Sequence, residues 1–247
     1  MSSFATTGLY GFYFFIMITF IYFAVKYFIG DSLIVIILYY LALIVGQYFI
    51  NLSTTMSICG QYQYVTAIIS TLIPWAIIFG LLSIILKIFP GWLSPFSNTI
   101  GYLITSLAGI GNLFNKLLVS KESNVDRQLI ENIYNDKSLL INEITTDNIQ
   151  TFWNKMIRTN IFKPENEISI YYNELLKLVR LKEIIAELTW YLLSGILISC
   201  ITYNYILNTD CDKSENIKEL QDEYVKENKD FLASNEIISS RLYKSTE

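Results

Sequence analysis

Residues 8–50 read GLYGFYFFIMITFIYFAVKYFIGDSLIVIILYYLALIVGQYFI. Two apolar runs, Gly8–Ile29 and Leu33–Ile50, flank the turn Gly30-Asp31, and Lys26 is the only charge inside them. At 1.5 Å per residue the first run reaches about 33 Å, enough to cross the hydrocarbon of a bilayer. Lys26 lies near its end, where a long side chain can snorkel to the interface. No basic stretch precedes the run and no small-residue cleavage signal follows it. The sequence therefore predicts a retained span, paired with the second in a tight hairpin.

Working outward, two further runs have the same character. Tyr64–Ile88 is apolar apart from a few small hydroxyl residues and Lys87 next to its end, with Pro74-Trp75 near its middle. Proline there bends a helix and frees a carbonyl that a neighbour must satisfy, so Pro74 is a packing feature or a candidate hinge. Leu188–Leu207 carries Trp190 and Tyr191 near one end and Tyr203 and Tyr205 near the other, as interfacial rings do. Between the second and third runs, residues 51–63 (NLSTTMSICGQYQ) are polar and uncharged. Asn51-Leu-Ser is formally a glycosylation acceptor, but its place at the end of a span argues against its use.

Composition supports this reading and removes several chemistries. Apolar types make up 53% of the 247 residues, and charged ones 16% against a usual value of about 25%. Residues 1–111 hold only Lys26, Asp31 and Lys87 of the chain's 18 basic and 22 acidic residues. Histidine is absent, which excludes His-based triads and His metal sites. The three cysteines, Cys59, Cys200 and Cys211, are too few for a disulfide scaffold or a four-thiolate zinc site. One pairing, Cys200 with Cys211, is left open, and Cys59 reads as a structural thiol. The acidic balance gives no support to nucleic-acid binding.

Pro90-Gly91-Trp92 and Ser94-Pro95 announce a turn after the third run. From Ile100 to Leu118 the apolar residues follow a helical stripe, weakened by Gly101, Gly109 and Gly111. This predicts an interfacial helix lying on the membrane, with a re-entrant or spanning helix as the alternative. Residues 121–163 suggest short amphipathic helices, about Val125–Tyr134 and Asp147–Met156, with Trp153 as a packing or membrane-contact residue. Pro164-Glu165 opens a helix well, since proline suits its first position and acids its first turn. No breaker follows until Gly195, so one rod from Pro164 to Leu207 is expected, with a kink near Glu183–Leu188 as the alternative. The tail, residues 208–247, carries six basic and ten acidic residues and suggests a helix around Glu215–Phe231.

The expected fold is all-α and multispanning. It comprises three spans in residues 1–88, a turn and interfacial or re-entrant helix in 89–120, short extramembrane helices in 121–163, a long helix with the last span in 164–207, and the tail. Lys26, Lys87, Arg180 and Lys182 flank spans on the side of the large middle region, so the positive-inside rule favours a cytosolic middle and non-cytosolic termini.

No set of residues reads as catalytic, and no cofactor or metal is implied. Glu165, Glu167 and Glu174 share their helix with Lys177 and Arg180, which makes a solvated charged face the simpler account. A channel or transporter subunit is one alternative, with Thr54, Thr55, Ser57, Thr66, Ser70, Thr71 and Pro74 lining a path, although four spans would need partners to form a pore. The main expectation is structural: an anchor in membrane lipid whose polar arm and tail meet other proteins, alone or as an oligomer.

The block Phe89–Tyr102 (FPGWLSPFSNTIGY), with the aromatic-rich first span and the polar Ser53–Gly60 turn, resembles membrane proteins of large icosahedral DNA viruses of the phycodnavirus and mimivirus kind. The resemblance covers residues 1–120. It implies a minor, capsid-associated protein that ties the virion's internal membrane to its protein shell, with lipids and other capsid or membrane proteins as partners. Gly91, Trp92, Pro95, Phe96, Asn98 and Tyr102, together with Trp153, are the candidate protein or lipid contacts.

Overall fold

A computed structural model describes residues 2–119, 127–209, 211, 224–226 and 228–229. All the regular elements among them are helical. We number the main ones α1 (Ser2–Ile29), α2 (Leu33–Cys59), α3 (Tyr64–Ile88), α4 (94–107), α5 (Ile110–Leu117), α6 (Arg127–Asn135), α7 (Ser138–Ile141), α8 (Ile149–Arg158) and α9 (Glu165–Leu207). Four of them, α1, α2, α3 and α9, are long and apolar enough to cross a membrane. The tail helix expected around Glu215–Phe231 lies mostly outside the described residues.

The first two turns are set by glycine. Gly30 (φ 98°) ends α1 with its N–H on the Lys26 carbonyl, and Gly60 (φ 74°) ends α2 with its N–H on the Met56 carbonyl. Both conformations lie in the left-handed region that a side chain disfavours, and both supply a partner to an orphan helix carbonyl.

The four spans pack around an aromatic centre. Consecutive residues of α1 enter glycine notches on two different helices: a methyl group at Gly46 of α2 would overlap the Phe14 ring, and one at Gly195 of α9 would overlap Phe15. Small residues at such contacts let helices approach where lipid offers no hydrophobic drive between them. Phe15 then meets Trp75 and Phe79 of α3 with ring centroids 5.3 and 5.8 Å apart, and Phe79 meets Tyr191 of α9 at 5.4 Å. Leu43 and Ile198 complete this layer, so every span contributes to one dry cluster. Toward the turn between α1 and α2, Tyr22 of α1 stacks on Tyr39 of α2 and Thr19 bonds the Tyr39 hydroxyl at 3.0 Å.

Pro74 sits in a π-helical turn, Leu72–Ile78, inside α3. Lacking an N–H, it cannot serve the carbonyl four residues earlier, that of Ser70. Thr202 of α9 donates its hydroxyl to that carbonyl at 3.4 Å. The candidate hinge is thus fastened to a neighbouring span.

A second core lies outside the bundle of spans. Ile110, Leu113, Phe114 and Leu117 of α5, Ile133 of α6, Leu140 and Ile141 of α7, and Ile149, Trp153 and Met156 of α8 bury their side chains against Leu175 and Val179 of α9. The chain between α5 and α9 is closed by backbone bonds from Val119 N–H to the Ile161 carbonyl (3.1 Å) and from Lys163 N–H to the Leu117 carbonyl (2.9 Å). The single helix expected over Ile100–Leu118 is divided by Gly109 (φ 102°). Its first half, in α4, runs along α9, while its second half, α5, turns its stripe into the outer core. Trp153, a candidate contact in the sequence, is 2% exposed and packs on Phe162 and Tyr172. It is therefore a core residue.

Cys59, the last residue of α2, is bonded to Cys211 just beyond α9, with Cα atoms 5.4 Å apart. This corrects both expectations for the cysteines. Cys200 stays free because it points outward from the bundle in mid-span, whereas Cys211 reaches the end of α2.

Removing the hydroxyl in Thr202→Val is expected to cost about 1 kcal/mol, the size of one hydrogen bond. In a Pro74→Ala background, where Ser70 regains a helical donor, the same change should cost close to nothing. Denaturant unfolding in detergent micelles measures the cycle. Gly195→Ala should cost about 1–3 kcal/mol by overpacking, and Phe15→Leu in the same chain should recover part of it.

Candidate functional site at the membrane-exit face

The residues singled out in the block 89–102 gather where α3 ends and α9 leaves the bundle. Trp92 stacks on Phe89 at 5.9 Å and meets Trp190 at 6.0 Å, and Phe96 meets Trp190 at 6.1 Å. Such a ring cluster suits the headgroup level of a bilayer. Gly91 is exposed in the turn and Pro95 in the first turn of α4, Asn98 is half-buried with its amide on the Ser94 hydroxyl at 3.3 Å, and Tyr102 packs against the outer core.

From this ring cluster α4 runs along α9 in the opposite chain direction. The two backbones touch at Gly101, where a Cβ would stand 2.7 Å from the Lys182 carbonyl oxygen. Only glycine permits that approach. Lys182 is 1% exposed, and its Nζ donates to the carbonyls of Ile141 (2.6 Å) and Ile144 (2.9 Å). These carbonyls lie at and just after the C-terminal end of α7, where the helix dipole favours a cation. One residue on, the Glu183 carboxylate accepts the Thr146 N–H at 2.9 Å and the Thr146 hydroxyl at 2.7 Å.

The same stretch of α9 holds α1. Lys26 bonds Glu187 and, at 2.9 Å, Asp31. Its side chain is only 13% exposed. Arg180 donates to the Lys26 carbonyl at 3.0 Å, capping the end of α1. Residues 180–190 of α9 thus grip α1, α4 and the loop after α7 together. Glu187, Glu183, Lys182 and Gly101 were not singled out in the sequence as holding this face. A signal existed for one of them: Leu175, Val179, Lys182 and Ala186 follow the spacing of a buried stripe, which places a lysine on an apolar face.

The open side of this face is apolar. Trp92, Ile100, Leu103 and Leu107 form an exposed strip, with Leu107 79% exposed. Through Phe89 and Ile88 it continues the exposed line Ile77, Leu81 and Ile84 on α3. Its chemistry is that of aromatic and aliphatic contact, with the exposed Lys87 at its edge beside Ile88.

At the opposite end of the bundle, a cavity of about 20 Å³ is lined by Gly11, Gln47, Asn51, Thr54, Ser199 and Thr202, among others. That is room for about one water. Five of the six hydroxyls considered for a path are used within their own helices: Thr54 on Ile50, Thr55 on Leu52, Ser57 on Ser53, and Ser70 and Thr71 on Ala67; the sixth, Thr66, is buried. Asn51, the formal glycosylation acceptor, is buried and bonds the Thr71 hydroxyl at 2.8 Å.

Comparison with protein-family models, curated proteins and solved structures gives no match. The functional reading therefore stands on this geometry and on the sequence resemblance.

Removing one member of a largely buried ion pair leaves the other uncompensated. Lys26→Met or Glu187→Leu alone is expected to cost about 3 kcal/mol, and the two together much less. Urea or detergent unfolding of the four proteins gives the coupling directly.

Proposed function

We propose that this protein is a structural membrane protein of a large DNA virus, tying an internal lipid membrane to the capsid through non-covalent contacts. The observation that carries the reading is the attachment of a separately cored outer unit to a four-span anchor through residues 180–190 of α9. An anchor that transmits position across the membrane surface needs such a joint, because a flexible linker would hold its cargo only loosely. The resemblance supports the same reading, since the block that carries it forms the ring cluster and α4 at this joint. In this role the bundle is fixed by burial of its exposed aliphatic and aromatic residues in lipid. The outer unit and the apolar strip of α4 present the surface that meets the shell.

The test is mild delipidation of purified particles after chemical crosslinking. Crosslinks from residues 127–187 to a shell protein that survive lipid removal are expected. Release of the protein with the lipid, without shell crosslinks, contradicts the proposal.

A further inference from the structure

The order of the spans places two different chemistries at the two ends of the bundle. Lys26 meets Glu187 at one end, where α4–α8 are also gathered, and Cys59 is joined to Cys211 at the other. Disulfides form and persist in oxidising compartments, while cytosolic thiols are kept reduced. Basic residues divide in the same way. Lys26, Lys87, Arg180 and Lys182 lie at the α4–α8 end, whereas at the disulfide end residues 47–70 and 199–212 contain no lysine or arginine, and the first basic residue there is Lys213. Membrane insertion leaves short basic flanks on the cytosolic side. The two observations are independent, because one concerns thiol oxidation and the other charge during insertion.

We propose that the Cys59–Cys211 end faces an extracytosolic, oxidising compartment, where a dithiol–disulfide oxidoreductase closes the bond, and that the α4–α8 unit stands in the cytosol. In the closing reaction one of the two cysteines, as a thiolate, attacks the catalyst's disulfide and forms a mixed disulfide. The other cysteine, also as a thiolate, then displaces the remaining catalyst sulfur. The pair loses two electrons and two protons, and the catalyst leaves as its dithiol. The bond clips the chain at Cys211 to the end of α2, so whatever follows starts on the extracytosolic face. Cys200 takes no part because it faces outward from the middle of the bundle. The assignment does not rest on the viral reading and would hold for this chain in any cellular membrane.

The experiment uses the full chain with Cys200→Ala in sealed vesicles whose extracytosolic face is outward, probed with a membrane-impermeant maleimide. Without reductant no thiol should label. After a membrane-impermeant reductant, Cys59 and Cys211 should both label from outside. In a companion protein carrying Asn173→Cys, an exposed position of α9, residue 173 should label only once the vesicles are opened. It should stay protected when Cys59→Ser and Cys211→Ser are added, because basic flanks and not the bond set the orientation. Labelling of residue 173 from outside in either protein overturns the orientation. Reactive thiols at Cys59 and Cys211 in unreduced, denatured protein overturn the oxidising assignment.

Discussion

Both hydrophobic cores of the protein are built on the same helix, and α9 has to satisfy two solvents along its length. Its outer part is amphipathic: Leu175 and Val179 face α5, α7 and α8, while Asn173, Glu174 and Lys177 are exposed. Its inner part is apolar nearly all round, with Tyr191 and Ile198 turned to the bundle and Leu193 and Leu197 turned outward. Its regular α-helical stretch, Tyr172–Leu207, has 36 residues and a length of about 54 Å. An unbroken helix leaves the outer unit little freedom to move against the spans, so the position of the membrane sets the position of everything on α4–α8.

The charged residues of the joint follow from the same constraint. A cation or carboxylate at the edge of a low-dielectric region needs a partner, and a partner on another element becomes a structural bond. Lys26 with Glu187 connects α9 to α1, while Glu183 with Thr146 and Lys182 with the carbonyls of Ile141 and Ile144 connect it to the end of α7 and the loop that follows. Deeper in the bundle the same helices rely on shape instead. Phe14 and Phe15 fill glycine notches, and the one carbonyl freed by proline is answered by Thr202. Specific polar contacts sit near the two ends, and close aromatic packing fills the middle.

The four spans could be read from the sequence because length and apolarity are local properties, and runs such as Leu33–Ile50 have little else to become. The helical stripe from Ile100 to Leu118 was also visible, but its division was not: the weight of Gly109 depends on whether the chain must turn there, which the outer core decides. Trp153 read in the sequence as either a packing or a membrane-contact residue, and it is Phe162 and Tyr172, from other segments, that cover it. The Cys59–Cys211 bond escaped for a related reason. Its two ends are 152 residues apart, and only the alternation of the spans brings them to one face. Lys182 is the exception, since its place on a buried stripe was there to be read.

The central claim is that from Tyr172 onward α9 runs unbroken from the outer unit through the membrane, and one distance tests it. Spin labels on Asn173→Cys and the free Cys200, with the native disulfide intact, lie 27 positions apart on that helix. Pulsed dipolar spectroscopy on the protein in lipid should give a narrow distribution centred at about 40 Å. A broad distribution, or one centred well below that distance, would mean that α9 bends or melts at the membrane surface, and the rigid coupling of the two cores would be wrong.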